Sequence, residues 1–323
     1  MNPPTTETNP RPAPSLWAVV LGYHHADDSI ECLQSLARSD AAGLRLLYVD
    51  NGSDEAEFRR ALEGAPPATR VLRFAKNVGV GRGFNAGMRD ALEQGAELVL
   101  IINNDTKVDP HALARLADAA ARNPKAGLLV PKIFYYDHPE TIWSAGARYR
   151  RFPPSVVLQR TRGSDDGCYD AGVELEFTSF CATLFRRDFL EQVGLLDADY
   201  RVFQEDYDLC IRARAAGWCV RLAPEAHIWH KVSKSTHAGS RNPDSWRAYG
   251  RSEALFARKH GRAWPWLTGP AHRLYVLTRI VAEGKSFGLR PFLEGYREGR
   301  HLPLTRPPRP ADPPAERPEV VRT

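Results

Sequence analysis

The chain has 323 residues, of which 43% are hydrophobic, and its formal net charge at neutral pH is +5. A chain of this length can bury a sizeable core, and we expect one large α/β domain, with or without a small C-terminal appendage. No stretch approaches the roughly 20 apolar residues of a membrane-spanning helix, and the Pro-rich N-terminus lacks the apolar run of a secretory signal. The five cysteines form no CxxC pair, which argues against a zinc site or disulfide framework and favours a reduced, cytoplasmic setting.

Apolar strand patterns alternate with helical patterns over the first 125 residues. The predicted strands are WAVVLGY, LRLLYVD, TRVLRFA and ELVLIINND, and the predicted helices cover 28–39, 55–64, 83–95 and 110–123. This alternation predicts a mostly parallel sheet with helices on both faces. Ligands bind beyond the carboxyl ends of such strands, which directs attention to residues 23–27, 50–53, 76–83 and 103–106.

The second half of the sequence is less regular. Residues 134–170 are predicted to be rich in loops, 205–217 form a helix, and WCVRLAPEAHIWH indicates two short strands around Pro224. Two or three amphipathic helices are expected after residue 245. The predicted domains are a disordered tail, an α/β domain, a helical extension and a Pro-rich disordered tail, at 1–14, 15–245, 246–302 and 303–323.

Two segments of the first half could contact a nucleotide. Asp50 ends the second strand, where its carboxylate could accept a hydrogen bond from a nucleobase N–H or simply cap the next helix. The loop NVGVGRGFNAG opens a helix whose N-terminus favours a phosphate. It lacks the third glycine of a dinucleotide fingerprint, because Phe84 stands there, and it lacks the GK[ST] of a P-loop.

Acidic residues and one histidine are candidates for metal and proton chemistry. Asp105 follows the fourth strand and could hold a hard divalent cation, with His230 as a second ligand. Glu205, Asp206 and Asp208 begin a helix and complement its dipole. Asp208 is expected to pair with the arginine four residues on, so Asp206 is the sharper candidate for a general base that deprotonates a hydroxyl.

Five motifs follow one another in order along the chain: VDNGS (49–53), KNVGVGRGFNAG (76–87), NND (103–105), FQEDYDLCIRA (203–213) and HIWHKVSKST (227–236). Together they resemble the motifs of the GT-A glycosyltransferases of family 2, a large inverting family. The resemblance runs from about Trp17 to Arg262, and the bacterial rhamnosyltransferase-like members that build cell-surface polysaccharide are the most similar. Two positions depart from the family pattern: His24 stands where asparagine is usual, and Asn103 replaces the first aspartate of DXD.

The resemblance implies a nucleotide-sugar donor linked to dTDP or UDP, a divalent Mg²⁺ or Mn²⁺ ion, and a hydroxyl acceptor on a glycan or lipid-linked substrate. It assigns the base role to Asp206 and metal binding to Asp105 and His230. The implied donor-binding residues are Asp50, Asn51, Asn77, Gly79, Asn85, Asn103 and Asn104. The implied acceptor or supporting residues are Glu205, Asp208 and Trp229.

Other interpretations of the same sequence remain open. A sugar nucleotidyltransferase would also combine an α/β fold with a metal and a nucleotide, and a catalytically silent GT-A-like module would bind without turnover. No recognised nucleic-acid motif is present, and no nucleic acid is expected as a partner. Basic and aromatic residues mix after residue 245, which suits peripheral contact with the inner face of the cell membrane or a helical cover for the core.

Overall fold

The computed structural model describes residues 14–160, 163–232 and 242–322. The described strands are β1 (Leu16–Gly22), β2 (Leu44–Asp50), β3 (Arg70–Arg73), β4 (Leu98–Asn103), β5 (Thr106–Val108), β6 (Ala126–Tyr135), β7 (Ile142–Ser144), β8 (Ala147–Arg150), β9 (Ser155–Leu158), β10 (Glu174–Leu175), β11 (Ala182–Arg186), β12 (Cys219–His230) and β13 (Glu319–Arg322). The described α-helices are α1 (Ala26–Ala37), α2 (Glu55–Gly64), α3 (Val80–Glu93), α4 (Ala112–Arg122), α5 (Arg187–Val193), α6 (Glu205–Ala215), α7 (Pro243–His260), α8 (Pro265–Thr268), α9 (Pro270–Ala282) and α10 (Leu289–His301).

The first half forms the predicted parallel sheet, and the α/β fold class is confirmed. Strands β3, β2, β1 and β4 lie side by side and run in the same direction. Every residue of β1 is buried, as expected for a parallel strand covered on both faces. The register sets Gly22 beside Asp50 and Leu21 beside Asn103, so the polar residues after these strands collect at one edge of the sheet.

Helices cover both faces of the sheet because side chains alternate along each strand. In β1, Trp17 and Val19 belong to one buried cluster, whereas Ala18 and Val20 belong to the other. Helix α3 contributes Phe84 to the first of these clusters. Both layers are therefore built from sequence-local βα units.

The second half of the sheet differs from the prediction at β12. This element is one continuous strand parallel to β6, and the prediction of two short strands is wrong. Its register shifts between Ala223 and His227. The irregularity accommodates Pro224, which has no backbone N–H to donate to the ladder.

Strand β11 is inserted antiparallel between β4 and β6. The region predicted as loop-rich contains β7 and a two-stranded hairpin formed by β8 and β9.

The C-terminal helices pack on the α/β domain. Helix α7 spans the predicted boundary at residues 245–246, and Leu255, Phe256 and Leu267 join the main core cluster. The division at that boundary therefore stays a prediction. Among the described helices, none is both long and apolar enough to cross a membrane.

The prediction of a disordered tail at 303–323 is wrong for residues 303–322. Strand β13 pairs antiparallel with β3 and covers its edge. Upstream, the Thr305 hydroxyl donates to Asp199 over 2.7 Å, and the Pro308 carbonyl accepts from the Leu195 amide over 2.8 Å. A Pro-rich segment needs few internal hydrogen bonds, so it can lie extended along groups that the domain offers. Of the predicted N-terminal tail, residues 1–13 lie outside the described residues.

Candidate active site

A cleft of about 450 Å³ opens at the carboxyl edge of the parallel strands. Six of the predicted site residues line it: Asn51, Asn77, Gly79, Asn103, Asn104 and Asp105. The opposite wall comes from the segment before α6 and from the first turns of α7. The cleft thus lies where the rule for open α/β sheets places a ligand.

Asp50 precedes the cleft-lining Asn51 but does not itself line the cleft, and it is completely buried. Its Oδ2 atom accepts a hydrogen bond from the Ser53 amide over 3.2 Å and lies 3.7 Å from Nε of Arg73. Burial raises the pKa of the Asp50 carboxyl, although Ser53 and Arg73 oppose the shift. Its Oδ1 atom is buried with no hydrogen-bond partner among the described residues, so one acceptor remains for a ligand donor.

Asn51 connects the Gly-rich loop to the end of β2 through side-chain hydrogen bonds. Its Oδ1 accepts from the Val78 amide over 3.0 Å, and its Nδ2 donates to the Gly79 carbonyl over 3.4 Å. Gly52 follows with φ of +85°, and a Cβ there would overlap the backbone of Lys76. This close approach requires glycine and holds the N-terminus of α3 at the cleft.

Asp105 and His230 meet because β5 pairs antiparallel with the end of β12. The ladder places Thr106 opposite His230, and the Lys231 amide donates to the Asp105 carbonyl over 2.9 Å. His230 Nε2 lies 3.2 Å from Asp105 Oδ1, and both side chains are mostly buried. Burial disfavours the imidazolium, yet Cys181 and Asp105 raise the pKa of His230 to about 10. The two predicted metal ligands are thus adjacent, although they lie 125 positions apart in the sequence.

Asp206 lies in the first turn of α6, half-buried, and its Oδ1 accepts from the Tyr207 amide over 2.8 Å. Burial raises the pKa of Asp206, because no described cation compensates the carboxylate there. The pKa of neighbouring Glu205 is raised by burial and by the charge of Asp206. Phe203 and Gln204 precede the helix with φ of 67° and 71°, a strained conformation that is concentrated at functional sites.

Three of the predicted residues have structural partners away from the cleft. Asp208 accepts from Arg212 Nε over 2.8 Å and lies 2.7 Å from His260 Nε2. Both ends of the Asn85 amide bond the backbone of Leu196 (2.8 and 3.0 Å), which ties α3 to the segment before α6. Trp229 donates to the Pro139 carbonyl over 3.1 Å. Direct donor contact by Asn85 therefore does not match its geometry.

Arg201 lines the cleft but was missed by the sequence reasoning. Its carbonyl accepts from the Val80 amide over 3.1 Å, and its Nη2 donates to the Asn77 carbonyl over 3.4 Å. A cation next to the Gly-rich loop suits a diphosphate. A lone arginine in a loop belongs to no periodic pattern, so only its fold position identifies it.

The fold is the GT-A fold. Two solved structures share this fold: the mannosyltransferase PcManGT from Pyrobaculum calidifontis in complex with GDP-Man and Mn²⁺, and GalNAc-T7 with UDP, GalNAc and Mn²⁺. The mannosyltransferase has a TM-score of 0.52 at 17% identity, and the match covers 90% of this chain and 76% of the mannosyltransferase chain. GalNAc-T7 has a TM-score of 0.56 at 12% identity, and the match covers 86% of this chain and 55% of the GalNAc-T7 chain.

The chain belongs to the glycosyltransferases of family 2, since the family model "Glycosyltransferase like family 2" matches residues 12–250. It is similar to the N-acetylglucosaminyl-diphospho-decaprenol L-rhamnosyltransferase of Mycobacterium tuberculosis, with 27% identity over 72% of this chain and 80% of that protein. Galactofuranosyltransferase GlfT1 of the same organism is 29% identical over 57% of this chain and 59% of its own. The predicted family and enzyme class are confirmed.

Proposed function

We propose that this glycosyltransferase inverts the anomeric configuration of a sugar, with rhamnose as the leading candidate. The sugar passes from a dTDP- or UDP-linked donor to a hydroxyl of a glycan or lipid-linked acceptor in cell-surface polysaccharide synthesis. The observation that carries the proposal is the meeting of the Gly-rich loop, the NND segment and His230 at one edge of the sheet. The named rhamnosyltransferase and galactofuranosyltransferase relatives support the substrate class.

The unpaired Oδ1 of Asp50 accepts from the nucleobase, while Asn51, Asn77 and Gly79 hold the loop against the diphosphate. Asn103 and Asn104 line the donor side of the cleft, and Asn85 positions the loop from below. Asp206 takes the proton of the acceptor hydroxyl as its oxygen bonds to the anomeric carbon. The bond from that carbon to the diphosphate breaks in the same step, so one displacement inverts configuration.

We expect Asp206→Asn to fold normally and to lose about 10²–10⁴-fold in turnover, the usual contribution of a positioned general base. The assay follows release of UDP or dTDP from candidate donors mixed with a lipid extract. Burial raises the pKa of Asp206. The rise of wild-type kcat/KM with pH should therefore occur at higher pH than the titration of an ordinary aspartate, whose pKa is about 3.9. Turnover by Asp206→Asn close to that of the wild type would contradict the base assignment.

The same assay separates transfer from a catalytically silent binding module. Silent binding predicts saturable nucleotide-sugar association with no release of nucleoside diphosphate under any acceptor condition. Asp188→Asn is the matched control, because Asp188 is an exposed aspartate in the first turn of α5 whose Oδ1 accepts from the next amide, that of Phe189, over 3.0 Å.

The residues at the cleft fit a divalent cation. Asp105 Oδ1 and His230 Nε2 are 3.2 Å apart, close to the separation of roughly 3 Å expected for two neighbouring ligands with bonds of about 2.1 Å. Among the described residues no group of three or more metal-binding side chains occurs, as expected where substrate phosphates complete the coordination. When bound, Mg²⁺ or Mn²⁺ neutralises charge on the leaving diphosphate.

Chelation should therefore abolish transfer, and added Mn²⁺ or Mg²⁺ should restore it. Asp105→Asn should weaken Mn²⁺ binding, as measured by calorimetry with UDP present, because it removes the carboxylate of the pair. Asp109→Asn is the matched control, since Asp109 lies near Arg115 and outside the cleft. Full activity in excess EDTA would overturn the metal assignment.

We further propose that the protein contacts the membrane peripherally. A surface formed by Arg150, Arg151, Phe152, Trp266 and Leu274, here called the hairpin face, combines cations with exposed apolar side chains. Phe152, Trp266 and Leu274 are 89%, 53% and 63% exposed. Arg151 lies over the Trp266 ring at 5.6 Å, which joins the β8–β9 hairpin to α8. Such a surface suits anionic headgroups and the interfacial region below them.

A further inference from the structure

A second cavity, of about 470 Å³, lies between the β8–β9 hairpin and helices α7 and α9. It adjoins the donor cleft across two shared elements. Phe203 lines the cleft and Gln204 lines the cavity, while Ser245 on α7 faces the cleft and Trp246 faces the cavity. Tyr207 also lines the cavity, so its wall includes the residues on either side of Glu205 and Asp206.

The cavity has apolar and aromatic walls with a few buried polar groups. Trp246, Tyr249 and Tyr275 contribute rings, and Val276 and Ile280 of α9 contribute aliphatic surface. A volume of this size accommodates a small ligand of one or two rings, since small-molecule sites span roughly 300–1,000 Å³.

Two buried polar atoms in these walls have no hydrogen-bond partner among the described residues. They are the acceptor Oε1 of Gln204, whose residue is 8% exposed, and the donor Nε1 of Trp246, whose residue is 4% exposed. Leaving such buried groups unpaired is unfavourable, because they lose their hydrogen bonds to water without gaining others. An apolar occupant would keep both unpaired, whereas a hydroxylated occupant could satisfy both.

A hydrogen-bonded chain holds Gln204 in place. Its Nε2 donates to Glu253 Oε1 over 2.6 Å, Glu253 Oε2 lies 3.3 Å from His272 Nε2, and His272 Nδ1 lies 2.8 Å from the Pro154 carbonyl. The bond to Glu253 fixes the orientation of the Gln204 amide, and its Oε1 atom takes no part in the chain. The same chain connects the strained turn before α6 to α7, α9 and the hairpin.

We propose that this cavity binds a saccharide ring of the acceptor, an inference that rests on the proposed function. The C–H faces of a pyranose are apolar and pack on aromatic rings, while its hydroxyls require donors and acceptors such as Trp246 Nε1 and Gln204 Oε1. The ring is held next to the turn that carries Asp206. The cavity thus accounts for acceptor binding separately from the donor cleft.

Saturation-transfer NMR with methyl β-D-glucopyranoside, octyl β-D-glucopyranoside and 1-octanol tests the proposal on the full chain. Wild-type protein should transfer saturation to the sugar-ring protons of both glycosides. Val276→Trp should remove this signal by filling the cavity. Leu274→Trp, on the exposed side of the same helix, should keep it.

Trp246→Phe provides a second variant if Val276→Trp does not fold. It keeps the ring but removes the N–H, and glycoside affinity should fall roughly three- to ten-fold, as expected for one lost hydrogen bond. Saturation confined to the alkyl protons, with displacement by octanol, would overturn the saccharide assignment. The saccharide assignment would also be overturned if Val276→Trp and the wild type gave equal saturation of the sugar-ring protons. Unchanged glycoside affinity of Trp246→Phe would overturn it as well. Binding of UDP or dTDP is titrated separately, so failure of the donor site is seen independently.

Discussion

At the residue scale, two aspartates of α6 separated by a single residue have opposite environments. Asp208 is 1% exposed, yet its pKa is lowered, because Arg212 and His260 outweigh the effect of burial. No cation of the described residues compensates Asp206, and burial raises the pKa of its carboxyl. Asp208 therefore belongs to a structural network of charged groups, whereas the Asp206 carboxyl is available to accept a proton from a substrate.

Stability should respond in opposite directions to neutralisation of these two carboxyls. At pH 7, Asp208→Asn should lower the free energy of unfolding by about 3–5 kcal/mol, since it removes the buried carboxylate that pairs with Arg212. The Asp208 contribution is present above the unfolded pKa of about 3.9 and is lost as the pH falls through its lower folded pKa.

Asp206→Asn should instead stabilise the protein. For this residue the folded pKa is raised, so the wild type loses stability as the pH rises from the unfolded value towards the folded one. Urea unfolding at pH 4.5 and 7.5 should show a larger advantage of the variant at pH 7.5. An advantage that shrinks with rising pH would contradict the raised pKa.

At the element scale, α7 and α10 approach each other through glycines. A Cβ at Gly250 would overlap the Phe292 carbonyl, and one at Gly295 would overlap the Arg247 carbonyl. The contact brings the two helix backbones together and fixes α7, which separates the donor cleft from the second cavity. Glycine is needed here for space, because neither residue has a positive φ.

Gly250→Ala should therefore lower the free energy of unfolding by roughly 1–3 kcal/mol, the usual cost of overpacking. The gain in helix propensity from the added methyl group, about 1 kcal/mol, is smaller than the clash at its upper range. Thermal unfolding measures the change. Gly163→Ala, where the Cβ would lie in open space, is the control and should stay within about 0.5 kcal/mol. A stabilised Gly250→Ala would show that the helices can separate at no cost.

At the scale of the whole molecule, the hairpin face and the covered sheet edge lie in different parts of the chain. Strand β13 covers β3, while the hairpin face belongs to β8–β9 and helices α8 and α9. Arg150 donates to the Tyr275 hydroxyl over 3.1 Å, so the hairpin tip is fixed on α9. The second cavity is lined by this same hairpin and helix, which would place an acceptor site beside a membrane surface.

Phe152→Ser should reduce flotation with vesicles of phosphatidylglycerol and phosphatidylcholine by roughly ten-fold, since burying a phenylalanine contributes about 1.5–3 kcal/mol. Raised salt should weaken wild-type binding by screening the arginines. Val320→Ser, on the 48% exposed β13 position, is the matched control and should float like the wild type. Equal flotation of Phe152→Ser and wild type at low salt would remove the hairpin face as the contact.

Local patterns were sufficient for the βα units and for the order of the site motifs. The strand before Asp50 and the helix after the Gly-rich loop are sequence-local, because apolar periodicity and glycine placement act over neighbouring residues. The tail at 303–322 could not be predicted in the same way. Its extended course depends on partners such as β3 and Asp199, which are far away in the sequence.

The parallel sheet could be predicted from the amino-acid order, because apolar periodicity acts between residues that are close along the chain. The order of the five motifs indicated the family, and that resemblance proposed Asp206 as the base. Only the tertiary structure brought Asp105 to His230, removed Asn85 from the donor contacts and revealed Arg201 in the cleft. It also showed that Gln204 and Trp246, which line a second cavity, each have a buried polar atom without a partner in the described part of the chain. Such juxtapositions depend on strand pairing and helix packing between distant segments, and local composition carries no record of them.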